Sequence, residues 1–77
     1  MKGYSSVLAS DVLFRDGLGL ELYDTEKQLI AEVFRDDEKV TVTFRCIEKA
    51  ELPLEVLEWF VATARHRLLD EPSISPE

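Results

Sequence analysis

Seventy-seven residues, 8.8 kDa in all, hold one small domain and leave no room for a second core. Sixteen acidic residues against nine basic ones give a formal net charge of −7 and a sequence pI near 4.6. Nucleic acid and anionic membrane surfaces are therefore disfavoured as partners, because both recruit clustered Lys and Arg.

The remaining composition, 45% hydrophobic and 32% charged, is that of a globular chain. Cys46 is the single cysteine, so no intramolecular disulfide can form, and a lone thiol suits a reducing cytoplasm, the expected location. The apolar run Val7-Leu8-Ala9 is cut short by Ser10 and Asp11. No stretch approaches the ~20 apolar residues of a spanning helix.

The N-terminal segment is ambiguous. From Ser5 to Asp11 the pattern fits neither period, so a strand over Val12 to Phe14 is expected, with a short helix over Ser5 to Leu13 as the alternative. Arg15-Asp16-Gly17 suits a tight hairpin loop that would pair Phe14 with Leu18 and Val12 with Leu20. The strongest strand signal follows, Leu18, Leu20 and Leu22 alternating with Gly19, Glu21 and Tyr23. Gln28 to Arg35 and Val40 to Cys46 alternate in the same way, the latter with β-branched residues. A loop at Asp36-Asp37-Glu38-Lys39 sets Val33 opposite Val42 and Ala31 opposite Phe44. The turn near Asp24 to Lys27 sets Leu22 opposite Leu29 and Leu20 opposite Ala31. Both hairpins then collect their apolar residues on one face, which also receives Cys46.

Pro53 opens a helix, with Glu51 and Glu55 at its positive end and Arg65 and Arg67 towards its close. Leu54, Leu57, Val61, Ala64 and Leu68 fall within roughly 80° of the wheel, with Phe60 at the edge, and define the expected core stripe. The predicted fold is α+β: an antiparallel three- to four-stranded β-meander with one C-terminal α-helix on one face, and an N-terminal segment that is strand or short helix. Residues 1–69 make the domain and residues 70–77, with two prolines, a flexible tail.

Width exposes a mismatch. Four strands at ~4.8 Å spacing present about 19 Å, and one helix is about 10–12 Å across. Little more than half the face is covered, so the N-terminal segment or another chain must cover the rest.

No catalytic set emerges. His66 is the single histidine, Cys46 is expected in the core, and no spacing resembles a metal site or a phosphate loop, so neither enzymatic activity, nor a metal, nor a cofactor is expected. Trp59 lies roughly 190° from the expected stripe, close to His66, with Thr63 alongside and Glu55 and Glu58 at the rim. An aromatic ringed by acids suits a basic protein partner: charge steers the encounter and the ring supplies desolvated contact. The sequence thus reads as a small acidic protein-interaction module of inhibitor, immunity or adaptor type, acting through Trp59, Thr63, His66, Glu55 and Glu58. The alternative is a homo-oligomer, a dimer paired through the uncovered sheet face or the helix. Tyr23, Ile30 and Phe34 mark a second candidate surface on the opposite sheet face, where Phe34 can fill the gap at Gly19.

Overall fold

Three hairpin connections build the sheet before the chain turns back across it as a helix. The strands are β1 (Ser5–Ser10), β2 (Gly17–Tyr23), β3 (Leu29–Asp36) and β4 (Thr41–Cys46); α1 (Leu54–Ala64) follows and ends in a π-helical turn, Arg65–Leu69. The computed structural model describes residues 1–10, 16–47 and 49–69. All neighbours are antiparallel and the order is β1-β2-β3-β4, the α+β meander that the alternation predicts.

Faces are as expected and registers are not. Val33 pairs with Phe44 and Ala31 with Cys46; Leu20 pairs with Val33 and Leu22 with Ala31. Over these pairs each hairpin is displaced by two positions, which preserves their faces because the strand period is two; the exception is the start of β3, at Leu29 and Ile30. Turn chemistry sets the displacement. Asp36 Oδ1 accepts from the amides of Glu38 and Lys39, both at 3.0 Å, so Asp36 closes the strand and the loop moves on to Asp37–Val40. Val40 consequently takes a left-handed φ of 58°, a strained conformation for a β-branched residue. At the other turn Asp24 Oδ1 accepts from the amides of Glu26 and Gln28, at 2.8 and 2.9 Å. A register shift at Leu22/Tyr23 then leaves Ile30 between two pairings, and Ile30 joins the core.

The partner of β2 on its far side is Ser5–Ser10, with Leu8 opposite Leu20 and Ser10 opposite Leu18. This corrects the expected pairing of Phe14 with Leu18 and excludes a helix over Ser5 to Ser10. As an edge strand β1 half-buries Leu8 and leaves Val7 48% exposed, so its sequence needs no sustained alternation. The proposed Val12–Phe14 strand and the tail at residues 70–77 lie outside the described residues.

The core joins Leu20 and Leu22 of β2, Ala31 and Val33 of β3, and Val56, Phe60, Ala64 and Leu68 from the helix. This is a correction to the helix stripe. Leu54 is 66% exposed and Val61 38%, whereas Phe60 is 0%. The helix carries apolar residues around more than half its girth, and the fold buries the stripe centred on its largest aliphatic-facing ring, Phe60. On an unbroken wheel Arg67 would lie within roughly 20° of Phe60. The wider π turn instead places Leu68 at 0% exposure and leaves Arg67 exposed. Arg35 fastens this end: Nη1 donates to the carbonyl of Leu68 at 2.7 Å and Nε to Asp37 Oδ1 at 2.8 Å. A cation on a free helix-terminal carbonyl satisfies both the acceptor and the helix dipole.

Candidate functional site

Trp59 and Val61 stand roughly 100° to either side of Phe60 and define the two flanks of α1. On the first flank Trp59 is half-buried and packs against the core, as Tyr4 and Leu8 do, with Thr63 half-buried and His66 exposed. The outward Trp59 of the sequence reading is therefore corrected: rotating the stripe onto Phe60 brings the indole down to the edge of the core. Glu55 and Glu58 are exposed, but Glu58 lies on the back of the helix, roughly 100° from Trp59 on the wheel.

The second flank is open. A groove of about 240 Å³ runs between helix and sheet, lined by Val33, Val42, Phe44, Val61, Arg65 and Leu69, among others. Every residue of β4 is exposed. Val42 (43%), Phe44 (47%), Val61 (38%) and Leu69 (45%) leave much of their apolar surface in water. Cys46, on the helix-facing side of β4, is exposed rather than buried as expected. The cause is the width mismatch: the helix sits over β2 and β3, and β4 is left outside its shadow. Leu54 and Val61, seven positions apart, extend the apolar strip along α1.

The opposite sheet face is closed by its own side chains. Phe34, opposite Gly19, lies across the glycines of β2: a Cβ at Gly19 would stand 3.5 Å from its ring, and one at Gly17 would overlap it at 2.7 Å. Phe34 is 6% exposed, so it fills the gap the sequence suggests, and Ile30 is buried at 9%. Neither offers the surface expected of it. Tyr23 remains half-buried, its hydroxyl donating to Glu21 Oε1 at 2.7 Å. That bond, with the adjacent negative charge, raises the phenol above its ordinary value of 10.0. Glu32, beside Glu21 in the ladder, takes a 3.0 Å ion pair from Arg45.

Among the described residues no cluster of three or more His, Cys, Asp or Glu side chains is placed to hold a metal ion. No described helix is long and apolar enough to cross a membrane. The uncovered strip of sheet is the one the width mismatch predicts; that it lies at β4, bordered by Leu54 and Val61, was missed because the core stripe was assigned to those helix residues. The signal that could have found it is the surplus of apolar positions on α1: two stripes, with one sheet face to bury them.

No family model matches the sequence, and no curated protein or solved structure matches it.

Proposed function

We propose that this chain is a small protein-interaction module that docks a protein partner on the apolar groove between α1 and β4, in the cytoplasm that its single thiol suits. One observation carries the reading: Phe44, Val42, Val61 and Leu69 stand half-open to water together, lining one groove between helix and sheet. Burying such a strip is the dominant favourable term in association. Site-specific photo-crosslinking tests the surface. A photoreactive residue at Val42, on the groove side of β4, should capture a partner in the native lysate, and one at Thr63 should not.

A second reading keeps the Trp59 flank. Trp59 is only half-buried, with exposed His66 and Glu55 nearby on the helix, and a basic partner could still use that edge. Capture through Thr63 and not through Val42 would favour it. Binding to a basic partner would also weaken as salt rises.

A further inference from the structure

The free edge of β4 carries backbone groups as well as apolar side chains. The amide of Ile47 donates to the carbonyl of Ile30 at 2.9 Å, continuing the register that sets Ala31 opposite Cys46. Hydrogen-bonded and non-hydrogen-bonded pairs alternate along an antiparallel ladder. The amides and carbonyls of Thr41, Thr43 and Arg45 therefore turn inward to β3, and those of Val42, Phe44 and Cys46 turn outward to the edge. The same three residues direct their side chains to the helix side, where Val42 and Phe44 line the groove. One row of residues thus offers main-chain donors and acceptors beside an apolar strip. A helix laid in the groove would leave the backbone groups unused, whereas an extended strand uses both.

This edge is unguarded. β4 contains no Pro, no Gly and no acidic residue, and its one charge, Arg45, lies on the other sheet face in an ion pair with Glu32. The edge at β1 differs, because Leu8 packs against a core that Trp59 also joins.

Resting on the interaction reading above, we propose that the partner is a second copy of this chain, joined β4 to β4 in an antiparallel, eight-stranded sheet. The two-fold axis runs perpendicular to the sheet, so both helices stand on the same face. Opposed residues share a face, so Val42, Phe44 and Cys46 meet their own kind across the axis. A fifth strand here needs that alternation, apolar towards the groove and polar away from it, and β4 itself supplies it. Charge permits the pairing: with no acid on β4, two copies of net charge −7 meet there without opposed carboxylates. Width favours a copy over an unrelated strand. With each helix over β2 and β3, the two helix axes stand four strand spacings apart, about 19 Å, which leaves about 7–9 Å between helix surfaces. The adjoining rows of Val42 and Phe44 fill that gap, and the second helix closes the side that a lone strand leaves open to water. β4 and the groove wall expose on the order of 500 Å² per copy, so the pair approaches the roughly 1,000 Å² of a specific interface.

Sedimentation equilibrium of the full chain between about 1 and 500 μM, with amide exchange followed by NMR across the transition, tests the proposal. The wild type should dimerise within that range. As it does, exchange at Val42, Phe44 and Cys46 should slow at least about tenfold, while Thr43 and Arg45 should already be slow in the monomer. Val42→Pro removes an outward donor and no bond to β3, so it should weaken the dimer at least about tenfold while the circular dichroism spectrum is kept. Added salt should strengthen the dimer by screening the two negative copies. A wild type that stays monomeric throughout overturns the proposal, as does a dimer whose Val42, Phe44 and Cys46 amides gain no protection or one indifferent to Val42→Pro. Failure here is distinguishable from failure of the interaction reading. A monomer whose Phe44 ring is relaxed by a soluble paramagnetic agent keeps the groove open to another protein. A monomer in which that ring is shielded removes the groove altogether.

Discussion

The two flanks of α1 start from similar material and end differently. Trp59 and Val61 are neighbours of the same buried residue, Phe60, and each reaches sideways over the sheet. Towards β1, the large indole spans the distance and meets a core that Tyr4 and Leu8 also join. Towards β4, a valine is too short to bridge the span, and Val42 and Phe44 remain 43% and 47% exposed beneath it. One helix can be centred on a four-stranded face or can seal one side of it. This one seals the β1 side, and the uncovered strand becomes the surface available to a partner.

The largest expected effect breaks the comparison at its axis. Phe60→Ala should cost about 3–5 kcal/mol, by lost burial and the cavity left behind, which is enough to unfold a domain of this size. Val61→Ala, one residue away and 38% exposed, should cost less than about 1 kcal/mol. Urea denaturation of both measures the contrast, and equal losses would show that the stripe is not centred on Phe60. Next, Arg35→Met should cost about 1–2 kcal/mol by releasing the Leu68 carbonyl, and faster amide exchange across 65–69 should accompany it. A smaller effect of opposite sign belongs to the β4 side. Val40→Gly should stabilise the chain by about 0.5–1 kcal/mol, because it relieves a left-handed valine that is 85% exposed and packs on little.

The smallest effect concerns the outer face. Tyr23 holds its proton in the folded chain above the ordinary 10.0, through its hydrogen bond to Glu21. A raised folded-state value means that its contribution to stability is complete below pH 10 and is lost as pH climbs through the raised value. Spectrophotometric titration should show a tyrosine ionising late, and Glu21→Ala should abolish the delay.

Much of this architecture could be read from the chain. Leu18, Leu20 and Leu22, with Val40 to Cys46, give strong period-two signals, and both hairpins keep their faces from Ala31 onward because a shift of two residues leaves parity intact; only the irregularity beside Tyr23 puts Ile30 rather than Leu29 into the core. Register depended on Asp24 and Asp36, whose carboxylates decide by hydrogen bonding where each turn begins, and no hydrophobic pattern encodes that choice. The first strand escaped because an edge strand with no fully buried residue, in which only Ser6, Leu8 and Ala9 are half-buried, has little pattern to show. The uncovered strip of sheet was legible from width alone, but the helix side of the site escaped for the opposite reason. Leu54, Val56, Leu57, Trp59, Phe60 and Val61 supply more apolar positions than one interface can use, so a wheel alone does not choose between two stripes. Phe34 over Gly19 was legible because a missing side chain in a strand invites a neighbour to fill the space.

Fluorine NMR of the chain carrying fluorophenylalanine and fluorotryptophan, with a soluble paramagnetic agent and a concentration series, tests the central claim most directly. The account predicts that the Phe44 resonance is strongly relaxed by the agent in the free chain. Phe60 should be shielded throughout, and Trp59 should hold an intermediate and unchanging value. A Phe44 shielded at every dilution, or a Trp59 that becomes shielded while Phe44 does not, would contradict it.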